Sequence, residues 1–213
     1  MRNQDYLQIL TDRYPALSVV TEALEELAVT LCEVYRKGGK LLVAGNGGSA
    51  ADAEHIVGEM MKGFCRRRPL SAAQKSALAA ADAERGARLG DVLQQGLPTI
   101  ALTNHPALST AFINDCDPNA AFAQQVWGYG NAGDLLIVIS TSGNAENLLL
   151  AAAAAHAKGM KVALLTGENG GKLARVADII LRAPAKETYQ VQEYHLPLYH
   201  SLCLMVENEF FPE

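Results

Sequence analysis

The sequence predicts an α/β chain: a three-layer, doubly wound fold around a five-stranded parallel sheet. Three observations lead there. Five short, continuous apolar runs lie at residues 40–44, 98–103, 134–139, 160–166 and 178–182. Unbroken apolarity is the mark of strands covered on both faces, as in parallel sheets. Between and after these runs the apolar residues change to three- and four-residue spacing, the period of helices packed on a sheet. Finally, two of the runs empty directly into glycine-rich loops followed by helix-like stretches, as in folds that bind ligands at the carboxyl ends of their strands.

The elements follow in order. Residues 3–37 read as helical: Leu7, Leu10, Tyr14, Leu17, Val20, Leu24, Leu27, Leu31 and Val34 recur at helical steps. Pro15 splits the stretch, because proline is disfavoured inside a helix and favoured at its start. Gly38 and Gly39 end it. This N-terminal segment lies outside the strand–helix alternation and is available to pack on another subunit. The first strand leads to a helix at 50–64 and the second to helices at 107–113 and 120–127. The third leads to a helix at 145–158 and the fourth to a short helix at 172–177. A long helix at 189–209 closes the chain, with Pro197 expected to kink it. Residues 70–96 interrupt the pattern and read as one or two inserted helices, a solvated spacer rather than a lid. The 213 residues thus form one domain with an N-terminal helical segment at 1–37 and a helical insertion at 70–96.

Composition narrows the function. Hydrophobic residues make up 49% of the chain, enough for a sizeable core, and the net charge is -5. An acidic chain lacks the basic face of a nucleic-acid binder. Arg66-Arg67-Arg68 is short and reads as a solvated helix end. No apolar run approaches the roughly 18 residues of a membrane span. Cys32, Cys65, Cys116 and Cys203 have neither zinc-finger nor redox spacing, so reduced thiols and a cytoplasmic protein are expected.

The two loops carry the first functional signal. Gly45-Asn46-Gly47-Gly48-Ser49 follows the first strand and Ser140-Thr141-Ser142-Gly143-Asn144 the third. Helix N-termini present unpaired N–H groups and partial positive charge, and glycine allows close approach to the backbone. Two such ends suit one anion, and phosphate on a small molecule is the leading ligand. Gly45, Gly47 and Ala50 also satisfy the dinucleotide pattern Gly-x-Gly-x-x-Ala. The acidic residue required some 20 positions later is missing, since Cys65-Arg66-Arg67 stands there. The triphosphate-binding loop pattern is absent.

Two further patterns carry chemistry. His55 and Glu59, four apart, share a helix face, where they suit a divalent ion, a proton-transfer pair or merely a surface ion pair. Gln192 and His200, eight apart on the last helix, lie on one stripe, with His195 pointing elsewhere.

Together these motifs resemble the sugar isomerase (SIS) domain family, and within it the phosphoheptose isomerases. The similarity runs through the two loops, residues 52–59, Asn114-Asp115, Leu165-Thr166-Gly167 with Gly170-Gly171-Lys172, and Gln192-Glu193-x-His195. The resemblance implies a homotetramer with active sites between subunits that converts sedoheptulose 7-phosphate to D-glycero-D-manno-heptose 7-phosphate. It implies Glu59 as base and His200 as its acid partner, with one zinc ion per subunit on His55, Glu59, Gln192 and His200. Asn46, Gly47, Gly48, Asn114, Asp115 and Gln192 are implied as sugar contacts; Ser49, Ser140, Thr141 and Ser142 surround the phosphate. The alternative is a non-catalytic SIS module that senses sugar phosphates or docks to a protein. Three positions depart from the family pattern: Ala145 replaces a serine, Tyr189 an aspartate and Gly63 an arginine, the last with Lys62 beside it. The insertion at 70–96 is a fourth difference.

Overall fold

A computed structural model describes residues 2–212. The chain begins with α1 (Asn3–Arg13), a 3-10 turn (Pro15–Val20) and α2 (Thr21–Arg36). Then come β1 (Leu41–Gly45), α3 (Gly48–Met61), α4 (Ala72–Ala81), α5 (Ala83–Val92), β2 (Thr99–Ala101), α6 (Pro106–Asp115) and α7 (Ala121–Tyr129). The last part holds β3 (Leu135–Ile139), α8 (Glu146–Ala157), β4 (Lys161–Thr166), a 3-10 turn (Leu173–Arg175), β5 (Ile179–Arg182) and α9 (Thr188–Phe210). All strand pairings are parallel, in the order β2-β1-β3-β4-β5.

Strand alternation divides the core between two layers. Leu41, Val43, Leu135, Ile137, Ala163 and Leu165 face one side and pack with α1, α2, α3 and α9. Leu42, Ala44, Leu136, Val138, Val162 and Leu164 face the other and meet α7 and α8. Every residue of β1 and β3 is buried, which accounts for their continuous apolarity. The N-terminal segment contributes one face to the chain's own core, through Tyr6, Leu7, Leu10, Leu24 and Leu31, and leaves Ile9, Val19 and Val29 exposed on others. Leu24 and Leu31, two turns apart, stack on the same face of α2.

Several boundaries differ from expectation for local reasons. β2 is only three residues long; it lies at the sheet edge, and Pro98 before it has no N–H to donate. The segment at 172–177 forms a single 3-10 turn, Leu173–Arg175. α9 is, as expected, one long helix with Pro197 inside it, and burial of Leu198, Tyr199, Leu202 and Val206 holds its second half against the core. Residues 70–96 contain two helices, α4 and α5, with only Gly86 and Gly90 buried in them. Ser71 and Asp82 cap them: the Ser71 hydroxyl accepts from Gln74 N, and Asp82 Oδ1 from Glu84 N and Arg85 N. The insertion joins the body near the C-terminal end of α3, about 20 Å of helix from the first glycine-rich loop. Among the described residues no helix is long and apolar enough to cross a membrane.

His195 lies wholly inside, with both ring nitrogens unpartnered. Burial pushes its imidazole down to about 4; a backbone contact at Thr166 opposes this without meeting hydrogen-bond geometry. Between its ordinary value and 4 the unfolded chain binds a proton that the folded chain does not. Stability is therefore complete above pH 6.5 and is lost as the pH falls toward 4. Urea unfolding should show about 2 kcal/mol lost from this group between pH 7.5 and 5, and His195→Leu should flatten that slope. An unchanged slope would contradict the assignment.

Candidate active site

The strand order reverses direction between β1 and β3, and both glycine-rich loops leave the carboxyl ends of these adjacent strands. That crevice is where open α/β sheets bind ligands. Asn46 in the first loop and Asn147 in the first turn of α8 exchange two amide hydrogen bonds of 3.0 and 2.9 Å. This pair ties the loops together, and Asn147 carries no sequence signal beyond its loop neighbourhood. Ser49 is buried in the first turn of α3. Ser140 Oγ accepts from Gly143 N at 3.2 Å and Ser142 Oγ from Asn144 N at 3.3 Å. Each hydroxyl keeps its hydrogen for an outside acceptor such as a phosphate oxygen. The second loop rests on the turn at 167–171, with Lys172 N donating to Asn144 Oδ1 at 3.1 Å. Gly143 has φ +66°, and a Cβ there would lie 1.9 Å from the Gly170 carbonyl oxygen, so only glycine fits this junction. A recess of 230 Å³ beside it is lined by Thr141, Ser142, Asn144 and Lys186, among others.

Gln192 reaches the same place from α9: a Cβ on Gly48 would stand 2.5 Å from its Nε2. Asn114 and Asp115 hydrogen-bond to each other at 2.7 Å on the exposed end of α6, and Thr141 is in the second loop with its carbonyl accepting from Gly167 N.

The titratable cluster lies farther down α3. His55 Nε2 stands 3.2 Å from Glu59 Oε1, and Lys62 Nζ 3.4 Å from Glu59 Oε2. α9 supplies His200, whose ring centroid is 5.0 Å from that of His55 and 5.4 Å from Phe64. Burial and then the His55 charge push His200 below the ordinary imidazole range, with Glu59 opposing and Arg13 assisting. Its Nε2 is buried without a partner. His200 also lines a largely apolar recess of 430 Å³ between α1 and α9, with Tyr6, Arg13, Tyr14 and Phe64 on its walls.

The structure thus brings His55, Glu59 and His200 together and sets Gln192 against Gly48. Seven residues, about 10 Å of helix, separate Gly48 from His55. The His55–Glu59 spacing suits two donors of one tetrahedral zinc, each about 2.0–2.1 Å from the metal. Among the described residues, however, no three His, Cys, Asp or Glu side chains lie close enough to hold one ion. One chain alone offers a donor pair and a nearby imidazole, not a finished four-donor site.

Below the cluster two of the three arginines of the basic triplet prove structural, correcting its reading as a solvated end, while Arg67 is exposed. Arg68 is 1% exposed and donates Nε to Glu207 Oε1 at 2.9 Å, Nη1 to the Met60 carbonyl at 2.7 Å and Nη2 to the Glu59 carbonyl at 2.9 Å. Glu207, also 1% exposed, accepts from Phe64 N and Cys65 N at 2.8 Å each. Arg66 donates to Asn208 Oδ1. The clamp satisfies the last carbonyls of α3 and fixes the backbone that carries Glu59.

Around this three-layer α/β sheet, with its two glycine-rich loops and adjoining His–Glu–His cluster, family models described as SIS domain match residues 5–89 and 107–206. The chain belongs to the phosphoheptose isomerase family. The phosphoheptose isomerase of Aneurinibacillus thermoaerophilus is 38% identical over 88% of this chain and 82% of its own. The structure of the phosphoheptose isomerase from Neisseria gonorrhoeae matches with TM-score 0.74 at 32% identity, over 92% of this chain and 91% of that one. A phosphoheptose isomerase from Francisella tularensis matches with TM-score 0.74 at 31% identity, over 96% of both chains.

The departures have local explanations. At Gly63 a Cβ would lie 2.3 Å from the Arg66 carbonyl oxygen, so no arginine fits, and Lys62 brings its positive charge to Glu59 instead. Tyr189 is 60% exposed in the first turn of α9; nothing in the structure explains its replacement of an aspartate. Ala145 is the N-cap of α8 and offers no side-chain acceptor. Ala145→Ser should therefore stabilise the fold by about 1 kcal/mol through the missing cap and lower KM for a phosphorylated substrate. Thermal melts and steady-state kinetics would check both; a destabilised variant would contradict the cap geometry.

Proposed function

We propose that this chain is a sugar-phosphate isomerase that interconverts sedoheptulose 7-phosphate and D-glycero-D-manno-heptose 7-phosphate through an enediol. The reading is carried by the buried, unpartnered Nε2 of His200 beside the His55–Glu59 pair. Glu59 removes the proton from C1 of the ketose and returns it to C2, and His200 serves the oxygens by giving a proton to O2 and taking one from O1. The neutral imidazole favoured by burial has both a donor and an acceptor nitrogen for this exchange. The loop hydroxyls of Ser49, Ser140, Thr141 and Ser142 and the N-termini of α3 and α8 hold the phosphate. Asn46, Gly47, Gly48, Asn114, Asp115 and Gln192 are proposed sugar contacts.

Zinc is proposed on His55 and Glu59, with His200 beside them, whereas Gln192 as a further ligand would have to leave its place against Gly48; when bound, zinc would stabilise negative charge on the enediolate oxygens. Homotetrameric assembly with shared sites is proposed on a distance argument. Ten residues, about 15 Å of helix and roughly 80° around its axis, separate Ser49 from Glu59. An extended heptulose phosphate spans only roughly 9 Å from phosphorus to C2 at ordinary bond lengths. Phosphate loops of one subunit working with the acid–base pair of another would remove that mismatch. A cytoplasmic location fits the free thiols of all four cysteines.

The test is incubation with a panel of ketose phosphates, the heptulose included, with products followed by NMR with and without added zinc. Conversion of the heptulose phosphate ahead of pentulose and hexulose phosphates is expected. Tight binding of sugar phosphates with no turnover under either condition would instead favour a sensor or docking module.

A further inference from the structure

His55 has a second hydrogen bond on the side away from Glu59. Its Nδ1 lies 3.0 Å from the hydroxyl oxygen of Tyr199, and the same oxygen lies 3.2 Å from Asp52 Oδ1. Tyr199 is 2% exposed on α9, and its ring meets that of His55 edge-on at 5.4 Å.

The hydrogen count fixes the direction of this chain. A phenol has one hydrogen, and an ionised carboxylate only accepts. A tyrosine phenol ordinarily gives up its proton only at pH ~10, so at neutral pH this hydroxyl has its one hydrogen to donate. If that hydrogen pointed to His55, the phenol oxygen would face Asp52 with lone pair against lone pair. Donation to Asp52 removes the conflict and leaves the oxygen as an acceptor, so Nδ1 of His55 must carry the hydrogen. In neutral His55 the lone pair then belongs to Nε2, the nitrogen 3.2 Å from Glu59 Oε1. Two acceptors at that distance need either a proton or a metal ion between them.

We propose that Tyr199, backed by Asp52, is a positioning residue that locks His55 as its Nδ1–H tautomer and reserves Nε2 for a divalent cation shared with Glu59. A carboxylate commonly orients a metal-binding histidine directly; here a tyrosine hydroxyl is interposed. The use of the lone pair rests on the zinc reading above, whereas the tautomer does not.

The test is long-range proton–nitrogen NMR of the full chain, labelled at histidine, cleared of metal with a chelator and held well above the ordinary imidazole range of pH. His55 should show hydrogen on Nδ1 and the lone pair on Nε2. Tyr199→Phe removes the acceptor and should move His55 to the Nε2–H form that free imidazole side chains favour. Asp52→Ala frees the phenol hydrogen to turn toward Nδ1 and should cause the same reversal. Thermal melts identify any variant that fails to fold, and either folded variant decides the question. Competition for zinc against a chromophoric chelator gives a second reading, with Tyr199→Phe expected to weaken binding roughly 10–100-fold. A wild-type His55 that is Nε2–H, or folded variants that leave its tautomer unchanged, would overturn the proposal. A wild-type chain that binds no zinc would remove the cation while the spectra still decide the lock.

Discussion

Glu59→Gln is expected to reduce turnover of sedoheptulose 7-phosphate by roughly 10²–10⁴, the usual range for loss of a positioned acid or base. Glutamine keeps the size of the side chain and its place beside His55 and Lys62, but it cannot hold the proton taken from carbon. The fold should be unaffected, because the structural contact of residue 59 is made by its backbone carbonyl, to Arg68. The loss should fall on kcat with KM little changed, since the interaction removed operates in the transition state. His200→Ala should produce a similar loss. Its ring stands between Phe64, Tyr199 and His55 and borders an existing recess, so truncation enlarges an opening rather than emptying a sealed core. Progress curves by NMR, with circular dichroism as the folding check, would measure both effects. Substantial residual isomerisation in either folded variant would count strongly against these roles.

Arg68→Met is expected to cost about 3–5 kcal/mol, the penalty for breaking a buried ion pair by removing one partner. Glu207 would remain enclosed, with only the Phe64 and Cys65 amides to compensate its charge. The carbonyl of Glu59 would lose its Arg68 donor at the same time, while that of Met60 would keep only the Leu97 amide. For a chain of this size the melting temperature should fall by roughly 6–20 °C. Glu207→Gln strands the opposite charge and should be similarly severe. Replacing both residues by methionine should recover part of the loss, because apolar pairs of matching volume are often tolerated where a half-broken pair is not. Melts at one protein concentration would test this, the constant concentration keeping any assembly equilibrium fixed. A single-variant cost below about 1 kcal/mol would show that the clamp contributes no more than a surface pair.

The sheet was legible because a parallel strand buried on both faces has no polar positions to hide it, as in Leu135–Ile139, where all five residues are buried. The loops were legible because a helix entered from a strand through glycine is a local pattern. His55 and Glu59 were legible together because one helical turn separates them. What escaped was long-range pairing between residues with no shared periodicity. Arg68 meets Glu207 139 positions away, and nothing in Arg66-Arg67-Arg68 distinguishes the buried member from its neighbours. Asn46 and Asn147 find each other across 101 positions only because β1 and β3 are adjacent. Tyr199 reads as one more apolar residue of α9 until Asp52 and His55 are placed around its hydroxyl. Gln192 shares a stripe with His200, but the parallel packing of α9 on α3 sets it opposite Gly48 rather than His55.

The central claim is that Glu59 moves a carbon-bound proton between C1 and C2 of a ketose phosphate. Sedoheptulose 7-phosphate incubated with the protein in heavy water tests it directly, because a carboxylate that releases the proton to solvent during the enediol's lifetime leaves deuterium on the sugar. Enzyme-dependent deuterium at C1 of the ketose and C2 of the aldose, lost in Glu59→Gln, is the predicted result. A substrate that binds yet yields neither aldose nor labelled ketose would contradict it.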